Sequence, residues 1–338
     1  MKSSFINAVL CGKRRHVPGN RLMCCLIYFL AFLWPELSFS QDGTLISRQA
    51  YHIQDSDIVK LKKRYPDYDS ITRQTALSRI IYESDGLKVA GYLAVPSVQG
   101  SFPCIIYCRG GNREFGSLDN PFELFFLQKM ASWGYVVIAS QYRGCCGSEG
   151  SDEFGGNDIH DVLNLMPALK GMNHADTSRM GIYGWSRGGM MTYLALKSSN
   201  RFKAAVVGAG PTNLYTNITA RKDSFEYYVY AQLIPEYYRN KDKELRKRSA
   251  IFWADSLSKS TPLLLLHGSA DWRVTSEESL EMVNKLYASK HPVKFVFYPG
   301  GDHGLREYRQ EADDETKKWF DEYLKKNKAL PNMEKHGR

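Results

Sequence analysis

Ser186 lies in the run Gly184-Trp185-Ser186-Arg187-Gly188-Gly189, which fits the pattern Gly-x-Ser-x-Gly. The pattern has a steric origin. A serine at the tip of a tight strand-to-helix turn has a strained backbone and an exposed hydroxyl. Residues two positions away on either side must be small, or their side chains would strike the turn and the helix that packs beneath it. The flanks agree with this placement. Arg179 to Tyr183 reads as a short buried strand, and Met190 to Lys197 as the helix that follows.

A serine hydroxyl is a poor nucleophile until a base takes its proton. A base is available late in the chain, in Pro299-Gly300-Gly301-Asp302-His303-Gly304, where the loop glycines can bring an imidazole to a sheet edge. The imidazole needs an orienting carboxylate. Asp271, in His267-Gly268-Ser269-Ala270-Asp271-Trp272-Arg273-Val274, follows the preceding strand and is the expected partner. Asp302 is a rival acid, but it adjoins His303 and reaches the ring awkwardly; His267 reads as structural. The oxyanion that develops on attack needs two fixed donors. The backbone N–H of Arg187 is one expectation. The second should come from Arg109-Gly110-Gly111-Asn112, with the N–H of Gly111 favoured and Asn112 as the alternative.

These residues must be carried by strands that end at one rim. Ile80–Glu83 and Lys88–Val95 flank an Asp85-Gly86 turn and read as a hairpin. Apolar strands then alternate with helices: strands at 104–108, 135–139, 179–183, 203–207, 263–266 and 293–298, and helices at 121–133, 158–170, 190–197, 277–289 and 311–326. Unbroken apolar strands between helices imply an α/β fold, a mostly parallel sheet covered on both faces. Ser186, Asp271 and His303 each fall just after a strand C-terminus, where open α/β sheets place their sites. Their chain order is that of an α/β-hydrolase. Residues about 213–260 break the rhythm with a polar, aromatic stretch too long for a simple connection. It reads as a helical insertion over the site, most of its aromatics packing on the sheet and a few facing the substrate.

The expected organisation is a leader over 1–40, a polar and partly helical lead-in over 41–78, and a catalytic domain over 79–328. The leader carries Lys13, Arg14, Arg15 and Arg21, then the apolar run Leu22 to Trp34, then Ser38-Phe39-Ser40. It reads as a secretory signal peptide cleaved after Ser40, with export to the periplasm or medium and no stable membrane association afterwards. An uncleaved anchor is the alternative reading. The formal charge of +9 falls to +5 without residues 1–40, which hold five Lys/Arg and one Glu. With no basic stripe interleaved with aromatics, nucleic-acid binding is not expected. No ligand cluster or phosphate loop calls for a metal or cofactor. Beyond the leader, the cysteines are Cys104, Cys108, Cys145 and Cys146. Either the first two are linked to the last two by a disulfide, or they are small buried hydrophobes.

As a set, the Ser186 run, Tyr142-Arg143-Gly144 with Gly147-Ser148-Glu149-Gly150, Phe154-Gly155-Gly156-Asn157-Asp158, Leu266-His267-Gly268 with Asp271, and Gly301-Asp302-His303-Gly304 resemble the catalytic domain of the prolyl oligopeptidase family of serine peptidases. The resemblance spans roughly 80–324. It implies a Ser186–Asp271–His303 triad, hydrolysis of peptide or related acyl bonds, and small peptides as substrates; a carboxylesterase with the same machinery is the alternative. Two departures stand out. Only some forty residues separate the leader from the hydrolase region, too few for the family's β-propeller. Where the family often has His or Tyr before the loop's two glycines, this chain has Arg109.

Overall fold

The computed structural model describes residues 41–337 apart from 222; the expected signal peptide lies outside the described residues. They form a nine-stranded sheet: β1 Leu45–Ala50, β2 Thr75–Ser84, β3 Leu87–Pro96, β4 Phe102–Cys108, β5 Val136–Ser140, β6 Ala175–Trp185, β7 Ala204–Gly208, β8 Leu263–Gly268 and β9 Val293–Tyr298. Across the sheet the order is β1-β2-β3-β5-β4-β6-β7-β8-β9. β1, β2, β3 and β5 pair antiparallel in succession, and every pair from β5–β4 to β8–β9 is parallel.

The central parallel strands β4, β5, β7 and β8 are buried on both faces, which is why they read as continuous apolar runs. In β4, Cys104, Ile106 and Cys108 belong to one core and Ile105 and Tyr107 to the other, as the two-residue pleat requires. The first core includes residues of α4 (Ile159–Leu163), α5 (Leu165–Lys170), α6 (Arg187–Ser198) and α10 (Ser276–Ala288). The second includes residues of α1 (Asp55–Arg64), α2 (Tyr68–Arg73), α3 (Pro121–Ser132) and α11 (Arg309–Phe320). The insertion comprises α7 (Leu214–Ala220), a π-helical turn at Glu226–Tyr230, α8 (Ala231–Leu233), α9 (Tyr237–Arg248) and two short 3-10 turns at Ala250–Phe252 and Ala254–Ser256.

One expectation changes, and for Cys104 and Cys108 the buried-hydrophobe reading holds over the disulfide. The lead-in is not merely polar and helical: Leu45–Ala50 is an edge strand on β2, and β2 itself begins at Thr75. An edge strand with one exposed face needs few apolar residues, so LISRQA carries little signal. The cysteines do not link their two groups. Cys104 and Cys108 are free, enclosed in the core, and burial pushes both thiols up to about 12. Cys145 is instead bonded to its neighbour Cys146, on the loop after β5. The pleat turns Cys104 and Cys108 to the same face, into the core.

Candidate active site

β6 ends at Trp185 and α6 starts at Arg187, so Ser186 alone makes the turn. Its backbone lies at φ 57°, ψ −128°, a conformation that L-residues rarely adopt. Only small neighbours permit it. A Cβ on Gly184 would lie 2.0 Å from the Gly188 carbonyl oxygen, and one on Gly188 would lie 2.0 Å from that of Cys108. Trp185 fills space above Gly208, and its indole N–H donates to the His303 carbonyl at 2.8 Å. The turn that presents the serine therefore also ties down the loop that carries the histidine.

The three expected side chains meet. His303 Nε2 lies 3.0 Å from Ser186 Oγ, and His303 Nδ1 lies 2.7 Å from Asp271 Oδ2. A carboxylate only accepts, so Nδ1 carries the proton and the Nε2 lone pair faces the hydroxyl. Asp271 Oδ1 accepts from the backbone N–H of Arg273 at 2.8 Å and of Val274 at 3.1 Å. Burial alone would raise the Asp271 pKa, but hydrogen bonds from His267 and His303 and the backbone outweigh it, and the carboxyl is held well below its ordinary value. Asp302, the rival acid, accepts instead from the N–H groups of Gly304 and Arg306 and shapes its own loop.

His267 is more than a strand-end residue. Its Nε2 lies 2.9 Å from the Val274 carbonyl and 3.2 Å from Asp271 Oδ2, while Nδ1 lies 2.6 Å from Ser279 Oγ. The carbonyl accepts only, so Nε2 bears the proton, and His267 is a second imidazole donating to Asp271. The four-residue spacing to Asp271 was the available signal.

Arg187 contributes a buried side chain as well as its backbone. The guanidinium bonds Asp152 at 2.6 and 2.8 Å and Asp158 at 2.6 Å, and it lies over the rings of Phe154 and Tyr142. It also donates to the Gly111 carbonyl at 3.1 Å. Burial works to raise the Asp152 pKa, but the Arg187 charge and its hydrogen bonds hold it down to about 2. The backbone N–H of Arg187, at the first position of α6, has no acceptor within its own helix. Gly111 sits beside it at φ +68°, where a Cβ would lie 1.9 Å from the Phe115 carbonyl oxygen. Both residues line a cleft of about 210 Å³ that contains Ser186.

The insertion builds the rest of that cleft. Phe225 and Tyr230 from the insertion, with Phe154, make a wall of edge-on rings with centroids 5.1–6.2 Å apart. Asn217, Arg221 and Asp223 add polar groups, the last two ion-paired. Tyr237 and Trp253 pack into the core, and Tyr227, Tyr228 and Tyr238 face solvent. Asn217 is anchored from below. The Glu278 carboxyl accepts from the backbone N–H groups of Thr212 and Asn213, both at 2.9 Å, and from Asn217 Nδ2 at 3.4 Å. Burial pushes Glu278 up to about 7. Among the described residues no group of three or more His, Cys, Asp or Glu could hold a metal ion, and no helix is long and apolar enough to cross a membrane.

Residues 122–327 match the prolyl oligopeptidase family of peptidases. The chain belongs to that family. It is 30% identical over 239 residues to the uncharacterized peptidase YtmA of Bacillus subtilis, a match covering 70% of this chain and 88% of that one. It is 26% identical over 296 residues to dipeptidyl-peptidase 5 of Porphyromonas gingivalis, covering 80% of this chain but 42% of that protein. Among solved structures, the acylaminoacyl peptidase of Pyrococcus horikoshii superposes with a TM-score of 0.66 at 24% identity, over 82% of this chain and 45% of that chain. This last likeness establishes the α/β-hydrolase fold. The chain thus spans most of the first relative and less than half of the other two.

Proposed function

We propose that the protein is a serine peptidase that cleaves small peptides through an acyl-enzyme on Ser186. The observation that carries this reading is the unbroken line from Asp271 through His303 to Ser186 Oγ, with separations of 2.7 and 3.0 Å. His303 Nε2 takes the hydroxyl proton as Oγ attacks the substrate carbonyl carbon. Asp271 keeps the ring in the accepting tautomer and balances the imidazolium charge. The backbone N–H groups of Arg187 and Gly111 receive the oxyanion. The imidazolium then gives its proton to the departing amine, and water, activated by the same nitrogen, releases the acyl group.

Membership of a peptidase family and the likeness to the uncharacterized peptidase YtmA favour an amide substrate. The basic leader and its apolar run favour export. Turnover of short peptidyl p-nitroanilides by the wild type, absent from Ser186→Ala, is the expected result. Hydrolysis of p-nitrophenyl esters with no amide turnover would rule out the peptidase reading in favour of a carboxylesterase.

A further inference from the structure

Arg109 follows β4 directly and is completely enclosed, with 0% of its surface exposed. Its guanidinium bonds no carboxylate among the described residues; it donates to backbone carbonyls. Nε reaches Gln141 O at 2.8 Å. Nη1 reaches Gly110 O at 3.0 Å, Phe115 O at 3.4 Å and Gly116 O at 3.5 Å, and Nη2 reaches Arg113 O at 2.8 Å. The guanidinium also lies 5.0 Å from the centre of the Tyr142 ring, whose hydroxyl donates back to the Arg109 carbonyl at 3.0 Å. Burial and the neighbouring Arg187 charge push its pKa down to about 10. Keeping a buried cation here is costly, and four of the five carbonyls it satisfies belong to the one loop of residues 110–116.

The bond to Gly110 O matters most. The Gly110 carbonyl and the Gly111 N–H belong to one planar trans peptide and point in opposite directions. Drawing the carbonyl onto the guanidinium therefore turns the Gly111 N–H away from it. Gly110 packs against the serine turn: a Cβ there would lie 3.1 Å from Trp185 O and 3.5 Å from Ser186 Cβ. Gly111 lines the cleft beside Ser186, and among the described residues its N–H donates to no backbone acceptor. Arg187 holds the same loop from the other end of this peptide pair, through Gly111 O at 3.1 Å. Arg113 N–H adds a third tie, to Asp152 Oδ2 at 3.0 Å.

We propose that Arg109 is a positioning residue for the oxyanion site: its guanidinium gathers the carbonyls of residues 110–116 and so aims the Gly111 N–H at the substrate oxygen. This rests on the serine-hydrolase reading above. Arg109 itself touches no substrate; it lies outside the lining of the cleft. Lysine has the charge but not the planar fork, and its three donors cannot serve the five carbonyls that the guanidinium reaches.

The test is steady-state hydrolysis of p-nitrophenyl acetate by wild type, Arg109→Lys and Arg109→Ala, with active sites counted by a fluorophosphonate. Misplacing an oxyanion donor should lower kcat per labelled site roughly 10²-fold while KM changes little. Millimolar guanidinium chloride, filling the space left in Arg109→Ala, should restore a large part of kcat and leave wild type unaffected. A purely structural role would lower the count of labelled sites without changing kcat per site. The proposal is overturned if kcat per site in Arg109→Lys stays within about threefold of wild type. It is also overturned if Arg109→Ala folds, is impaired, and is not rescued by guanidinium. A wild type that the fluorophosphonate leaves unlabelled at Ser186 would instead overturn the hydrolase reading on which the proposal stands.

Discussion

Replacing Asp271 by Asn removes a charge and exchanges one acceptor for a donor at nearly constant shape. Oδ1 accepts two backbone N–H groups, at 2.8 and 3.1 Å, and Oδ2 accepts His303 Nδ1–H at 2.7 Å and His267 Nε2–H at 3.2 Å. The new NH2 group must occupy one of these places. At Oδ1 it would oppose two backbone donors that cannot turn away, at a cost of about 1–3 kcal/mol for each buried group left unpaired. At Oδ2 it faces His303, which can answer by moving its proton from Nδ1 to Nε2, and His267, whose N–H keeps the Val274 carbonyl at 2.9 Å. The second arrangement costs less, and it puts the proton where the lone pair should face Ser186. The expected fall in kcat is roughly 10⁴-fold, about 5 kcal/mol of lost transition-state stabilisation, with KM for a p-nitrophenyl ester little changed. The substitution also removes a pH-dependent contribution to stability. The folded-state pKa of Asp271 is depressed, so its contribution is fully present above the unfolded value of about 4 and lost as pH falls through the folded value. The advantage of wild type over the variant in urea should therefore shrink in acid. Kinetics at pH 7.5, normalised to fluorophosphonate-labelled sites, decide the matter. A variant that keeps more than about a tenth of wild-type kcat would refute the tautomer argument.

Three further outcomes follow from the geometry. Arg187→Met leaves the Asp152 and Asp158 carboxylates buried without their cation and should cost about 3–5 kcal/mol in urea denaturation at pH 7; a loss below about 1 kcal/mol would show that the cluster contributes little. Glu278 has a raised folded-state pKa, so wild type should lose stability relative to Glu278→Gln as pH rises from about 4.5 to about 7, by up to about 3 kcal/mol. A pH-independent difference between the two urea midpoints at pH 5 and pH 8 would contradict this. Cys104 and Cys108, buried and with thiols pushed up to about 12, should resist maleimide at pH 8 in the native state and react only after denaturation; modification of either residue in the folded protein would count against their enclosure.

The parts of the molecule that repeat a strong physical rule were readable from residues alone. The strands at 104–108 and 263–266 are apolar throughout because helices cover both sides of the sheet there, and the structure places strands over both stretches; 293–298, which contains Lys294, is the half-exposed edge strand β9. The meeting of Ser186, Asp271 and His303 was legible because each follows a different strand of a sheet whose sites lie at one rim. What escaped notice depends on where a side chain points. The edge strand Leu45–Ala50 has one solvated face and hence no apolar run. His267 reads as structural and Arg109 only as a departure from the family pattern, and only the fold shows a ring donating to Asp271 and a guanidinium holding loop carbonyls. Arg187 was visible for its backbone, but its ion pairs cross 29 and 35 residues of chain and leave no local pattern. The pairing of Cys145 with Cys146 escaped for a simpler reason, because adjacent residues seldom provide the geometry a disulfide requires.

The alignment of one hydroxyl with one imidazole is open to direct measurement by intact-protein mass spectrometry after exposure to a fluorophosphonate. Wild type should gain a single adduct, mapped to Ser186; Ser186→Ala should gain none, and His303→Ala should react several orders of magnitude more slowly while remaining folded. An adduct that forms at the same rate in Ser186→Ala, or that maps to another residue, would contradict the account.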